Sequence, residues 1–156
     1  DTDARKMFFH AHCLCHINYS SVIWDGAASY HFKRLTSVFK RAIKIILPDP
    51  LLSIIEKQTQ LNILPLQNHL HFNKCLLVYK VQNELTPEYL THFLMPATNR
   101  YGSDKYILPR TRIDLFKSSF AFSGASLWNS LPSDIKMCSS LKRFKHALYE
   151  HFMMPD

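Results

Sequence analysis

The chain contains 156 residues, the size of one ordinary domain, and 47% of them are hydrophobic. This composition excludes a disordered tail, and a total of three glycines argues against a glycine-rich phosphate loop or a turn-rich β-sandwich. Nineteen lysine and arginine residues against twelve aspartate and glutamate residues give a net charge of +7. This excess of positive charge favours an anionic partner, with nucleic acid first and an acidic membrane surface second.

The first half of the chain has the hydrophobic periodicity of helices. One helix is predicted from Asp3 to Trp24, with a break near Asn18. The clearest periodicity follows Ser29, which is predicted to be the N-cap, and Pro48 ends this helix because proline disfavours helical geometry in the residue before it. Two further helices are predicted over residues 51–60 and 66–84.

The second half is predicted to hold shorter helices joined by a polar loop. The sequence Thr86-Pro87-Glu88 is typical of a helix start, and a short helix should continue to Phe93. The last helix is predicted to begin after Ser140 as its cap. Three segments lie between these helices: a surface loop over 95–106, a short extended pair near 106–122, and a short helix over 123–129. The predicted fold class is therefore mainly α, an irregular bundle of about six helices.

Two groups of cations are candidates for nucleic-acid binding. On a helical wheel, the apolar residues of the helix after Ser29 occupy a sector of about 100°, and its cations a separate sector of about 120°. Like charges four residues apart repel, and a phosphate backbone would relieve that repulsion while releasing counterions. A second basic run follows next to aromatic residues. The first group is Lys33, Arg34, Lys40, Arg41 and Lys44, and the second is Arg110, Arg112 and Lys117.

The histidines, cysteines and acidic residues are candidates for metal binding and catalysis. The run His10-Ala-His12-Cys13-Leu-Cys15-His16 has ligand-type side chains, and His12 and His16 would share a helical face. No complete zinc ligand set recurs at finger spacing, so a half-buried helix is the favoured interpretation and no metal site is predicted. The acidic residues are scattered and no phosphate-binding loop is present. We therefore predict neither enzymatic activity nor a cofactor for this chain.

Other features bear on compartment and boundaries. Four cysteines at irregular spacing are too few for a disulfide framework, which favours a reducing compartment. No apolar run reaches the roughly 18 residues that a membrane-spanning helix needs, and no signal peptide is recognisable. The first residue is Asp1 rather than methionine, so we expect the chain to be an excerpt or a processed product.

Several short motifs occur together along the chain. The most specific is Leu127-Trp128-Asn129-Ser130-Leu131-Pro132, flanked by Arg110-Thr111-Arg112 upstream and by Ser140-Leu141-Lys142-Arg143-Phe144-Lys145 downstream. Earlier motifs are His16-Ile-Asn-Tyr19, Lys40-Arg41-Ala42-Ile43-Lys44, Leu64-Pro65-Leu66 and Leu85-Thr86-Pro87-Glu88. In this order the series resembles the C-terminal part of reverse transcriptases from non-LTR retrotransposons of the jockey and chicken-repeat type. The resemblance covers nearly the whole chain.

The resemblance implies a thumb-like helical segment over 1–95 and a C-terminal extension over 96–156, forming one compact unit. In that family the catalytic palm lies N-terminal to this region, so the missing polymerase domain is an expected partner. A thumb grips the template–primer, so an RNA–DNA or DNA duplex is the other expected partner, without a membrane. The compartment would be intracellular, cytoplasm or nucleus. His16 is expected to pack or cap, and the fold-setting residues would be Trp24, Gly124, Trp128, Asn129 and Pro132.

The sequence therefore predicts a non-catalytic fragment of an RNA-directed DNA polymerase that contacts the nucleic-acid backbone through a basic helix. The competing hypothesis is a structural or protein-interaction remnant that binds no nucleic acid of its own. Exposed aromatic side chains on a domain cut from its palm would favour that alternative. Salt-dependent binding to nucleic acid separates the first hypothesis from the second, which predicts self-association.

Overall fold

The computed structural model describes residues 1–24, 26, 28–97 and 104–153. This part of the chain is mainly α-helical with one small antiparallel sheet, so the predicted fold class is confirmed. None of its helices is both long enough and apolar enough to cross a membrane. In chain order the elements are α1 (Thr2–Phe9), a π-helical turn (His10–Leu14), α2 (Cys15–Asn18), α3 (Ser21–Trp24), α4 (Ser29–Ile46), α5 (Ile54–Leu61), α6 (Leu66–Gln82), a 3-10 helix (Glu88–Phe93), β1 (Met95–Pro96), β2 (Tyr106–Ile107), α7 (Asp114–Lys117), α8 (Phe120–Ser130), α9 (Ser133–Lys136) and α10 (Leu141–Met153).

The described part holds ten α-helices rather than about six, because turns divide the predicted segments. The first predicted helix becomes α1, the π-helical turn, α2 and α3. The break expected near Asn18 is confirmed: Tyr19 leaves the helix with extended backbone angles, and Ser20 has a φ of 52°. A left-handed residue cannot continue a right-handed helix, so α3 starts anew at Ser21.

The long helix α4 begins without a side-chain cap. Ser29, predicted as the N-cap, is instead the first helical residue, and Ala28 occupies the cap position with no capping hydrogen bond. The predicted end is confirmed, since α4 stops at Ile46 and Leu47 leaves the helix just before Pro48. The start of α4 therefore depends on packing of its apolar face rather than on capping.

Helix α5 starts later than predicted and has a reciprocal cap. The Ser53 hydroxyl accepts from the Glu56 N–H at 3.3 Å, while the Glu56 carboxylate accepts from the Ser53 N–H at 2.7 Å. This capping box fixes the start of α5 at Ile54 rather than near Leu51. At the other end Asn62 adopts a left-handed conformation with a φ of 54°, which ends the helix.

The chain divides into two compact units. Unit 1 is Asp1–Leu70 together with the end of the chain from Phe152, and unit 2 is His71–His151. In unit 1 the apolar faces of α1, α4, α5 and the beginning of α6 meet in one core, in which the Phe9 and Phe39 rings pack edge to face at 5.5 Å. The buried members of this core are Phe9, Leu14, Phe39, Ile43, Ile46, Leu61, Ile63, Leu66 and Leu70.

Unit 2 is built around a column of three rings. The Phe144 ring stacks on Tyr79 at 4.1 Å and lies 5.8 Å from Trp128, which is 0% exposed. The Tyr79 hydroxyl donates to the carbonyl of Cys138 at 3.0 Å, so its polar end is paired inside the core. Cys75 lies in the same buried stretch of α6 and is 0% exposed.

The extended pair is present at another position than predicted. Strands β1 and β2 pair antiparallel, with Met95 opposite Ile107 and Pro96 opposite Tyr106. Strand β2 therefore lies at the beginning of the predicted extended region 106–122, and β1 lies in the segment 95–106 that was predicted to be a loop. Residues 98–103 of that predicted loop lie outside the described residues. The weak alternation of residues 114–122 does not form a strand, because α7 and the start of α8 occupy it.

Two predicted helix starts are confirmed, one with a different cap residue and one with the predicted cap. After Thr86-Pro87-Glu88 the chain forms a 3-10 helix through Phe93, with Pro87 rather than Thr86 at the cap position. The last helix follows Ser140, whose hydroxyl accepts from the Arg143 N–H at 3.3 Å. The short helix predicted around Trp128 is longer than expected, since α8 runs from Phe120 to Ser130.

Candidate nucleic-acid interface

Helix α4 presents the first predicted group of cations on one face. Lys33, Arg34, Lys40, Arg41 and Lys44 are all exposed. The opposite face carries Phe39, Ile43 and Ile46, which are buried in the core of unit 1. Burial of that apolar face fixes the rotation of the helix about its axis, and the cations face solvent as a consequence.

The charges of this face are not neutralised within the part of the chain that the structure describes. None of the five cations has a carboxylate within ion-pair distance there. Arg34 has one side-chain neighbour of note, because its guanidinium lies over the Tyr30 ring at 5.7 Å from the centroid. Such a contact holds the planar guanidinium near the surface without removing its charge.

The spacing of the cations suits a nucleic-acid backbone. From Lys33 to Lys44 the helix rises about 16 Å, at roughly 1.5 Å per residue. Each strand of a duplex carries one phosphate per about 3.4 Å of duplex axis, so a helix laid parallel to that axis covers the rise of about five nucleotides. A basic face of this length would bring its cations close to several phosphates.

Arg5 is a further cation near α4, and the sequence did not predict its position. It lies on α1 and its guanidinium donates to the carbonyl of Ile45 at 3.4 Å, so it is held beside the end of α4. The two residues are 40 positions apart in the chain. No local pattern could have placed Arg5 beside α4, since only the packing of α1 on α4 brings it there.

In the second predicted group of cations, two of the three positive charges have no ion-pair partner among the described residues. Arg110 and Arg112 are exposed between β2 and α7, and neither forms an ion pair within the described residues. Lys117 is also exposed but pairs with Asp114 at 2.7 Å across one turn of α7. The hydrogen bond and the charge of Lys117 lower the pKa of the Asp114 carboxyl below its usual value. An extended segment would have separated these two side chains, so the error in secondary structure concealed the pair.

A third basic group lies on α10. Lys142, Arg143 and Lys145 are exposed there, opposite the buried Phe144 and Leu148. These residues belong to one of the sequence motifs, but the sequence analysis predicted no role in binding for them. Their position on an amphipathic helix could have been recognised from the same wheel that identified the face of α4.

Most of the predicted fold-setting residues have clear structural roles. Trp128 is buried and its indole N–H donates to the Asp104 carbonyl at 3.0 Å. Gly124 is buried where α8 is in close contact with α6, and Pro132 is the N-cap residue of α9. Asn129 pairs with the backbone of Tyr106. Trp24 is the last residue of α3, and its side chain lies outside what the structure describes.

The histidine and cysteine cluster is divided between the π-helical turn and α2. The Cys15 thiol donates to the carbonyl of Ala11 at 2.8 Å, and His12 packs on the Phe8 ring at 4.5 Å. His16, which was expected to pack or cap, is exposed. Among the residues that the structure describes, no group of three or more histidine, cysteine or acidic side chains could hold a metal ion.

No protein-family model matches the chain, and no curated protein and no solved structure is similar to it.

Proposed function

We propose that this chain is the thumb-like segment and C-terminal extension of a non-LTR retrotransposon reverse transcriptase, and that it grips the backbone of an RNA–DNA or DNA duplex. The observation that carries the binding part is the exposed and unpaired cationic face of α4. The family part rests on the ordered motifs around Arg110-Thr111-Arg112 and Trp128-Asn129. The binding part stands on charge and geometry alone, so it can be tested without the family assignment.

In this proposal the chain binds and does not catalyse. The carboxylates and metal ions of nucleotide transfer belong to an N-terminal palm domain, which is the protein partner of this segment. The chain needs no cofactor for its own part, because contacts between cations and phosphates supply the affinity through counterion release. It acts inside the cell, in the cytoplasm or nucleus, where template and primer meet.

A binding titration over a salt series tests the proposal. A fluorescently labelled blunt RNA–DNA hybrid is titrated with the full chain, and anisotropy gives the dissociation constant at each salt concentration. We expect micromolar or tighter binding at low salt and a steep loss of affinity with increasing salt. Failure of the folded chain to bind at low salt would overturn the proposed function.

A matched pair of charge reversals assigns the binding to α4. The test variant is Lys40→Glu with Lys44→Glu, and the control is Lys142→Glu with Lys145→Glu, which changes the net charge equally on α10. Each lost phosphate contact lowers the salt slope by about 0.9, so the test variant should lose up to about 1.8. Equal losses in the two variants would mean that α10 contributes as much as α4, through contacts or net charge, and would contradict the assignment to α4.

One observation favours the alternative of a protein-interaction module. Between α1 and α4 of unit 1 lies an open apolar groove of about 400 Å³, lined in part by Ala4, Phe8, Ala42 and Ile45. Phe8 and Ile45 are both largely exposed. Convergent exposed apolar side chains of this kind are typical of surfaces that another protein covers.

Self-association tests this alternative directly. Sedimentation velocity over a range of protein concentrations should show a concentration-dependent dimer if the groove is covered by a second copy. Phe8→Ser should then restore the monomer, whereas Lys6→Ser on the same helix should not. A chain that stays monomeric at high concentration and binds the hybrid leaves the nucleic-acid proposal as the only one supported.

A further inference from the structure

A second hollow in unit 2 has the composition of a site for a flat aromatic ligand. It has a volume of about 330 Å³ and is open to solvent on one side. Three phenylalanine rings line it from three different elements: Phe93 ends the 3-10 helix, Phe116 lies in α7, and Phe120 begins α8. Phe93 is 50% exposed and Phe116 is 39% exposed, so these rings are available at the surface.

A hydroxyl group in the wall has no hydrogen-bond partner. Ser119 lines the hollow, and its Oγ is buried from solvent and unpaired within the part of the chain that the structure describes. A buried hydroxyl without a partner costs free energy, and rotation about its Cα–Cβ bond would let it meet a ligand. A purely hydrocarbon ligand would leave this cost in place, whereas a ring with polar atoms at its edge would remove it.

Two exposed arginines lie close in sequence to the wall of the hollow. Arg110 directly follows Pro109, which lines the wall, and Arg112 is two residues further along. Both arginines are exposed and without an ion pair among the described residues, while Asp114 is occupied by Lys117. A ligand that joins an aromatic ring to a negative charge would therefore satisfy the rings, the hydroxyl and the arginines together.

We propose that this hollow binds an unpaired nucleobase of a single-stranded segment, with Arg110 and Arg112 on the phosphates that flank it. Bases inside a duplex are stacked on each other and cannot enter, so the ligand is a single-stranded extension. Stacking on phenylalanine tolerates any base, because every base has an aromatic face. This inference deepens the proposed function, since the substrate becomes a duplex that carries an unpaired end.

Three labelled probes test the proposal with the full chain. One is a blunt RNA–DNA hybrid, the second adds a short unpaired DNA extension, and the third carries the same extension with abasic sugars. We expect the extended hybrid to bind about fivefold to a hundredfold more tightly than the blunt one. The abasic extension should lose this gain, because it retains the phosphates but offers no ring to the hollow.

Variants of α7 locate the effect. Phe116→Ala should remove most of the gain from the extension and leave binding of the blunt hybrid unchanged, while Phe116→Tyr should keep the gain. Leu115→Ala is the matched control, because Leu115 is 76% exposed on the same helix and does not line the hollow. Since Phe116 is partly exposed, its replacement should leave the folded structure intact, which circular dichroism checks.

The outcomes separate this inference from the proposed function. Failure of the blunt hybrid to bind, together with retained and Phe116-dependent binding of the extended hybrid, would overturn the duplex grip and support the hollow. Equal affinity for blunt and extended hybrids would overturn the hollow and leave the grip standing. Equal affinity for the normal and abasic extensions would show that the gain in affinity comes from phosphate contacts alone. That result would also overturn the proposed base site.

Discussion

Asn129 hydrogen-bonds to the backbone of Tyr106 through both ends of its carboxamide. Its Oδ1 accepts from the Tyr106 N–H at 2.8 Å, and its Nδ2 donates to the Tyr106 carbonyl at 2.8 Å. The side chain thus pairs with β2 as a neighbouring strand would. It joins α8 to the small sheet and explains in physical terms why an asparagine follows Trp128 at this position.

Asn129→Asp should destabilise the protein although it changes few atoms. The acid keeps the acceptor but places an oxygen against the Tyr106 carbonyl, where the amide had a donor. We expect a loss of about 2 kcal/mol in the free energy of unfolding at neutral pH, from one lost bond and one unsatisfied acceptor. Urea unfolding followed by circular dichroism measures this loss.

The neighbouring Ser130→Ala is the control for this prediction. Ser130 is exposed and bonds only within its own helix, to the Leu127 carbonyl. Its replacement should change the unfolding free energy by less than about 0.5 kcal/mol. An Asn129→Asp protein as stable as this control would contradict the role assigned to the paired carboxamide.

Gly124 should resist replacement because of one neighbour. A Cβ there would lie 3.0 Å from the Phe120 ring and 3.4 Å from a Val78 methyl group. Alanine would gain about 1 kcal/mol in helix propensity but must displace the ring. We expect Gly124→Ala to destabilise the natural protein. In a protein that already carries Phe120→Ala, the same substitution should be stabilising.

A double-mutant cycle measures that coupling. Thermal or urea unfolding of the two single variants and the double variant gives the interaction free energy, which should exceed about 0.5 kcal/mol in size. Ser126→Ala, at an exposed position of the same helix, shows the effect of alanine without a clash. Additive effects of the two substitutions would mean that the ring does not limit this site.

The stability of unit 1 should fall in mild acid because of His69. Burial, assisted by the nearby charge of His10, lowers the pKa of His69 to about 4 from a usual value of 6.5. The unfolded chain therefore binds a proton more readily than the folded one between these two pH values. The contribution of His69 to the free energy of unfolding is fully present above pH 6.5. It is lost as the pH falls towards 4, by up to about 3 kcal/mol.

The variant His69→Gln isolates this contribution. Glutamine cannot titrate, and its amide can still donate to the side-chain oxygen Oδ1 of Asn18 that His69 contacts. The unfolding free energy of the variant should change less between pH 6.5 and 4.5 than that of the natural sequence. Parallel pH profiles for the two proteins would exclude His69 as a source of the acid sensitivity.

Asp114 should weaken nucleic-acid binding by neutralising Lys117. Asp114→Asn removes the carboxylate that lies 2.7 Å from Lys117 and leaves that cation without its ion-pair partner. If the second basic group contacts phosphates, binding of the extended hybrid should tighten and its salt slope should grow by about 0.9. Asp134→Asn, an exposed carboxylate of the same unit, controls for net charge and should have a smaller effect.

The local patterns of the sequence predicted the parts of the fold that depend on neighbouring residues. The apolar period after Ser29 identified α4 and its free cationic face, because burial of Phe39 and Ile43 leaves only one orientation for the helix. The same reasoning was wrong over residues 114–122. A weak alternation over so few residues does not distinguish a strand from the turns of α7 and α8.

Contacts between distant residues were beyond the reach of the sequence. Trp128 bonds to a carbonyl 24 positions earlier, and Arg5 reaches Ile45 across 40 positions. The hollow of unit 2 combines side chains from the 3-10 helix, both strands, α7 and α8, and no one segment carries its signature. Such sites are created by packing, so only the folded arrangement could reveal them.

Because Cys75 is buried, its modification can report when the core of unit 2 opens. Burial raises the pKa of this thiol to about 12, so almost no reactive thiolate exists while the core is closed. Cys15, in contrast, is exposed on α2. An alkylating reagent should modify Cys15 at once and Cys75 only when the ring column opens. Peptide mass spectrometry that identifies the Cys75 adduct would therefore time the opening of the core.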